Sequence, residues 1–469
     1  MQPLTFALYF GNRGFFPESL LASARREMLS VVEGAGHRTL MLDADATRNG
    51  AVETVAEGRR YAQFLADHRG QYDGVILCLP NFGDENGAVA ALQDAGVPIL
   101  IQAYPDELDK MGVNDRRDAF CGKFSIMDVF CQHGMPFTAF TPHTAHPLSA
   151  TFANSFAAQL SSFADACRVV KRLRRLTVGA IGARTTAFKT IRFDEVALQR
   201  AGITTETFDL SEVFRRFHDI EAGDVFTAKA ERLANYTGWE GVPDDAFTRL
   251  VKLGMVLDDM IAEYGLDAIA LRCWIELEQE LGVCPCVLLG ELNDRGIAAA
   301  CELDVCNAVI MAALNAASGQ PATCLDWNNN YGDADDKCIL FHCGPVPQGL
   351  MTGPGQVVDN PLLAKALGPG CGYGCNVGRI APAPMTFASL QTMEGSLRFY
   401  LGEGTFTGEP IAEEFFGCAG VAEIAGLQHV LQTIGYAGYR HHVGVTFGTV
   451  ARGMREAFVR YLGYEETAL

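Results

Sequence analysis

The sequence predicts an α/β protein in three parts. Two doubly wound α/β domains, over residues 1–170 and 171–345, precede a mainly antiparallel β-rich domain over 346–469. Three observations carry this reading. A chain of 469 residues is too long for one hydrophobic core. Short apolar runs alternate with helix-periodic segments through the first two parts, the pattern of parallel sheets wrapped by helices. Beyond residue 345, Gly and Pro become dense and the apolar runs become short and β-rich.

Residues 4–10 form the first expected strand, and 17–34 carry apolar residues at helical spacing. Residues 74–79 (GVILCL) and 97–102 (VPILIQ) suit buried parallel strands. A basic helix-like stretch, 168–175, connects to a second unit that opens with a strand at 176–181. That unit continues through apolar runs at 268–271, 286–289 and 297–301, and the polar segment 208–247 carries helix patterns of its own. In the last part, 396–401 and 442–447 read as strands and 450–462 as a closing helix. Repeats and low-complexity tracts are absent.

Acidic residues outnumber basic ones 56 to 37, for a net charge of −19. That balance repels nucleic acid and anionic membrane surfaces, and no Lys/Arg run offsets it. The N-terminus has neither a basic segment nor an apolar stretch with a cleavage site, and no run reaches the ~18 apolar residues of a membrane span. A cytoplasmic protein with reduced thiols is therefore expected from its 15 cysteines. The close pairs Cys284/Cys286 and Cys371/Cys375 lack Cys-x-x-Cys spacing, so no structural zinc site is expected.

The densest chemistry lies between 297 and 344. Glu302 follows a small-residue apolar run at a strand end, and a buried helix is expected over 305–317. Asp326 ends a second strand (321–325) and His342 a third (338–341). If these strands are neighbours in one open sheet, their ends form the usual ligand edge. The plainer alternative is that Glu302 or Asp304 caps the following helix. Asp333, Asp335 and Asp336 read as a solvated turn, without the Gly and distant Glu of a calcium loop. Near the C-terminus, His441 and His442 are adjacent among only 10 histidines. On a strand only one of them would face a site, and local hydrogen bonding is the alternative.

These residues and their spacing resemble the L-fucose/L-arabinose isomerase family, in its short L-fucose isomerase-like branch. The likeness rests on Glu302, Asp326, Phe341-His-Cys-Gly344 and the late His-His-Val. It extends to Phe10-Gly-Asn-Arg-Gly-Phe-Phe-Pro17, Arg117-Asp-Ala-Phe-Cys-Gly-Lys-Phe-Ser125, Gly182-Ala-Arg184 and Arg272-Cys-Trp274. The resemblance implies two Rossmann-like domains and a β-barrel-like third. It also implies a homo-oligomer, hexameric or otherwise trimer-based, with active sites between subunits. It assigns Mn²⁺, or another divalent ion such as Mg²⁺ or Co²⁺, to Glu302, Asp326 and His442. His342 stands where arabinose-type members place a further ligand, whereas fucose-type members use three; it falls otherwise to the substrate side with His441.

Such an enzyme moves a proton between C1 and C2 of an open-chain sugar through an enediol. Glu302 and Asp326 would be both ligands and acid/base groups, and Arg13, Arg184, Arg272 and Trp274 would anchor the sugar. One departure stands out: short members tend to have Phe-Asn-Thr where this chain has Phe188-Lys-Thr190. Lys189, near Arg184 and Arg192, either is surface charge or meets an anionic group on the substrate. Other classes fit less well. No Gly-x-Gly-x-x-Gly follows a strand, which argues against a nicotinamide enzyme. A metal-dependent sugar aldolase or dehydratase, and a non-catalytic sugar-binding protein, are the remaining alternatives.

Overall fold

The computed structural model describes residues 1–149 and 155–469. The chain divides into two compact units, Met1–Lys171 with Arg452–Gly463, and Arg172–Ala451 with Tyr464–Leu469.

The first unit is built on a four-stranded parallel sheet, β1 (Thr5–Phe10), β2 (Arg38–Met41), β3 (Gly74–Leu79) and β4 (Ile99–Ala103), in the order β2-β1-β3-β4. Side chains alternate across it, as strand geometry requires. Phe6, Leu8 and Phe10 enter one core while Ala7 and Tyr9 enter another, so helices bury both faces. The closing helix, Ala451–Glu456 continued as a π-helical turn over Ala457–Leu462, belongs mostly to this unit rather than capping the β-rich part.

The second unit holds two sheets. Strands β5 (Thr177–Ile181), β6 (Thr204–Phe208), β7 (Ala268–Leu271) and β8 (Ala298–Cys301) form a parallel sheet in the order β6-β5-β7-β8. The other sheet contains β9 (Ala322–Asn330), β10 (Lys337–His342), β11 (Gln356–Asp359), β12 (Tyr373–Arg379), β13 (Ala383–Met393), β14 (Ser396–Phe406), β15 (Cys418–Glu423), β16 (His442–Phe447) and β17 (Glu465–Glu466). Six of these close on themselves through antiparallel pairs, in the cyclic order β15-β10-β9-β16-β13-β14. Closure into a barrel satisfies every edge of those strands.

The helix Val305–Ser318 joins the two layers. It packs on β7 and β8 on one side and on β13 and β16 on the other. Its residues from Val305 to Leu314 are all buried, as a helix enclosed on every side demands. Gly319, at φ +64°, ends it.

Two sequence expectations are corrected. Residues 286–289 are not a strand but the first turn of a buried helix, Cys286–Asp294; a short apolar run does not by itself distinguish the two. Asp326 does not end its strand, since β9 runs on to Asn330, and the strands carrying Asp326 and His342 do not share a sheet with the one that leads into Glu302. They are antiparallel barrel strands, whereas β8 belongs to the parallel sheet. Among the described residues no helix is long and apolar enough to cross a membrane.

Candidate active site

The chain leaves β8 through Glu302 and Leu303, at φ +60° and +65°, in the left-handed region that non-glycine residues seldom occupy. Asp304 then caps the helix Val305–Ser318, its Oδ1 accepting from the Asn307 N–H at 3.0 Å. The double left-handed turn projects Glu302 from the sheet edge instead of spending it on the cap. Trp274, just beyond β7, donates its indole N–H to Glu302 Oε1 at 3.0 Å, leaving Oε2 for other partners.

The barrel supplies the remaining donors from three adjacent strands. Asp326 on β9 lies opposite His442 on β16 and opposite Phe341 on β10, the neighbour of His342. His442 Nε2 is 2.9 Å from Glu302 Oε2 and 3.5 Å from Asp326 Oδ1. The His342 and His442 rings lie 5.8 Å apart. Asp326 Oδ1 and His342 Nε2 are buried without a hydrogen-bond partner. Leaving a buried polar atom unsatisfied costs about 1–3 kcal/mol, and both atoms belong to the converging set.

Behind His442 lies a buried charge relay that the sequence reading missed. His442 Nδ1 is 2.9 Å from Asp304 Oδ2, and Arg440 Nε pairs with the same oxygen at 3.2 Å. Arg440 also donates from both Nη atoms to the Leu390 carbonyl at 2.7 Å. Burial alone would raise the Asp304 carboxyl, but Arg440 and His442 hold it below its usual range. Burial opposes the charge on His442 too; Cys324, Asp304 and Glu302 outweigh it and push that imidazole well above its ordinary value. Glu302 is likewise held down by His442 and His342 against the effect of burial. A carboxylate fixing Nδ1 while Nε2 faces the site is the arrangement that orients histidines toward a metal. Two carboxylates and an imidazole suit a hard or borderline divalent ion.

These groups open into a cavity of about 420 Å³, lined by Trp274, Glu278, Glu302, Asp326, Asn328 and His342 among others; among the described residues no lysine or arginine lines it. His441 stands just before β16, so the opposite-face rule for strand neighbours does not apply. Its Nε2 lies 3.7 Å from Asp326 Oδ1, with its half-exposed ring against Phe188. Phe188 also packs against Trp274 and His442, a contact the sequence did not single out.

The other basic candidates have different surroundings. Arg272 pairs with Glu276, and Arg184 turns back on the Thr185 and Thr186 carbonyls at 3.3 and 3.4 Å. Lys189 is exposed and lines, with Arg192, a second cavity of about 430 Å³. Arg13 belongs to the first unit, where it pairs with Glu85, donates to the Gly83 carbonyl at 2.8 Å and covers the Phe82 ring.

Residues 7–174 match the N-terminal domain of the fucose/sulfoquinovose isomerases, and residues 340–468 match the L-fucose isomerase C-terminal domain. The chain is similar to the sulfoquinovose isomerase of Priestia aryabhattai, 22% identical over 400 residues, 84% of this chain and 85% of the relative. The sulfoquinovose isomerase of Alkalicoccus urumqiensis is 24% identical over 405 residues, with the same coverage of each chain. That of Clostridium sp. (strain MSTE9) is 28% identical over 303 residues, 62% of this chain and 64% of the relative. Within the second unit a parallel α/β layer leads into a closed barrel with carboxylates and imidazoles gathered where the two meet, and the matching families are aldose–ketose isomerases. The chain belongs to the fucose/sulfoquinovose isomerase family.

Proposed function

We propose that the protein is a divalent-metal-dependent isomerase converting a sulfonated aldose, in its open-chain form, into the corresponding ketose. The convergence of Glu302, Asp326 and His442, braced by the buried Asp304–Arg440 pair, is the observation that carries the metal dependence. The sulfonated substrate rests on the names of the relatives. Each parallel α/β layer is read as a Rossmann-like lobe, and the molecule as a cytoplasmic homo-oligomer, hexameric or otherwise trimer-based.

Glu302, Asp326 and His442 would hold Mn²⁺, Mg²⁺ or Co²⁺, with His342 as a further donor. Held there, a divalent ion would supply Lewis-acid stabilisation, worth several kcal/mol, of the negative charge that develops on the sugar. Trp274 fixes Glu302 by its indole N–H and offers an apolar face to the sugar. The carboxylates of Glu302 and Asp326, which line one cavity, would serve as the acid–base groups for the sugar. One takes the proton from C2 and delivers it to C1, while the hydroxyl proton passes from O2 to O1. Asp304 holds His442 in the tautomer that leaves Nε2 free of a proton when the ion is bound.

Metal-stripped protein is expected to form no ketose, and to form it from a sulfonated aldose once Mn²⁺ is added, with the molecular formula unchanged. Turnover restricted to neutral aldoses would remove the sulfonate from this reading; loss of water or of a carbon fragment would remove the isomerisation. Lys189 is an exposed cation on the second cavity, directly following Phe188, whose ring meets Trp274. Lys189→Ala is expected to raise KM for the sulfonated sugar by roughly two- to fivefold, the scale of an exposed charge pair. Steady-state kinetics with sulfonated and neutral sugars tests this, and an equal change for both would assign Lys189 no part in recognition.

The pH dependence has a definite sign. Without metal, His442 retains its proton well above its ordinary range, and that proton competes with the ion for Nε2. Mn²⁺ affinity should therefore rise with pH, and binding should release protons. Calorimetry in buffers of different ionisation enthalpy reads that release directly. Binding that is independent of pH and releases no proton would exclude His442 as a ligand.

A further inference from the structure

A second, chemically different donor set reaches the same cavity through Cys286 and Cys343, which line it, with Cys301 behind them. Cys286 opens the helix Cys286–Asp294, Cys301 ends β8, and Cys343 follows β10. Their three sulfur atoms all lie within 4.8 Å of one another, and the Cys286 and Cys343 sulfurs are 3.2 Å apart. None of the three is in a disulfide. Zinc–thiolate bonds of about 2.3 Å imply tetrahedral sulfur–sulfur edges of about 3.8 Å, so the trio needs movements of about 1 Å or less to hold such an ion.

A second, independent feature points to a ligand at this place. Glu278 lines the same cavity as Cys286 and Cys343, is only 1% exposed, and has no hydrogen-bond partner for either carboxylate oxygen. A buried carboxylate normally has partners, and here the nearby wall is sulfur.

We propose that Cys286, Cys301 and Cys343 form a site for a soft divalent ion of the Zn²⁺ or Cd²⁺ class. Glu278, which lies outside the tight sulfur group, completes it with an oxygen donor through one water. Binding releases the thiol protons to solvent and involves no oxidation. The site is distinct from the carboxylate–imidazole set: thiolates select Zn²⁺ and Cd²⁺, whereas oxygen donors select Mg²⁺ and Mn²⁺. One cavity would thus carry two metal sites of opposite preference. A soft ion at the cysteines would narrow the space open to a substrate.

The test is titration of the full-length, reduced, metal-stripped protein with Cd²⁺, monitoring the ultraviolet charge-transfer absorption of cadmium thiolates. One equivalent should saturate the band. Saturating Mn²⁺ and the Glu302→Gln substitution should leave it in place. Cys286→Ser and Glu278→Gln should each weaken cadmium binding about tenfold or more, as loss of a donor or its support does. In parallel, Cd²⁺ should protect Cys286, Cys301 and Cys343 of the wild-type protein from alkylation, read by mass spectrometry, so the result does not depend on a variant folding. Absence of the band overturns the proposal. So does a band that survives Cys286→Ser, or protection confined to other cysteines such as the exposed Cys121 and Cys131.

Discussion

Glu302→Gln and Asp326→Asn are each expected to lower ketose formation by roughly 10²–10⁴-fold, the range lost when a positioned acid–base group is removed. Both substitutions keep shape and most hydrogen bonding, so the protein should fold. The amide oxygen introduced by Glu302→Gln would still accept the indole N–H of Trp274. Asp326→Asn would remove the charge from a carboxylate whose buried oxygen has no hydrogen-bond partner. The loss should appear in kcat as well as in Mn²⁺ affinity, because each carboxylate is assigned both a ligand and a proton-transfer role. Measuring turnover at saturating Mn²⁺ separates the two. Near-wild-type kcat for either variant under those conditions would remove that carboxylate from the chemistry.

Asp304→Asn tests the layer behind the metal donors. Asn is as good a helix cap as Asp, so the cap on the helix Val305–Ser318 should persist and the change isolates the charge. Asp304 and the Arg440 side chain are almost wholly inaccessible, at 0% and 2% exposure. Breaking a buried pair from one side costs about 3–5 kcal/mol, so a fall of that size in unfolding free energy is expected from denaturant titration of metal-free protein. His442 would also lose the acceptor that fixes its tautomer, and Mn²⁺ affinity should fall about 10–100-fold. A variant with unchanged stability and unchanged affinity would reduce Asp304 to a helix cap. The acid limb follows the same logic. The Asp304 and Glu302 carboxyls lie below their usual values when folded. Their contribution to stability is thus present above the unfolded-state values and lost as the pH falls through the folded ones.

Much of this was legible in the sequence where local pattern decides the outcome. The runs behind β1, β3, β4, β7 and β8 are short and almost wholly apolar, as strands buried on both faces must be, and the run at Val305 is largely apolar all round because the helix is enclosed. Glu302 drew notice because a carboxylate at the end of such a run is out of character. What escaped was set by pairing between distant segments. Strands β9 and β10 follow β8 closely in sequence, and nothing local reveals that they join the barrel instead of its sheet. Asp304 was visible only as a cap, since its second oxygen acts on residues far along the chain. The thiol trio is invisible to spacing rules because each sulfur comes from a different element.

The distance along the chain between Glu302 and His442 has a consequence for how the protein is made. These two partners are 140 residues apart, and β16, which carries His442, is the last of the six barrel strands in chain order. A ribosome releases the N-terminal segments first, and domains generally fold as they emerge. Glu302 and Asp326 are therefore exposed to cellular ions before the histidine that completes the set has been synthesised. A nascent chain halted before β16 would bind manganese poorly. Completion of the proposed donor set would then wait on β16, the last of the six barrel strands to be made.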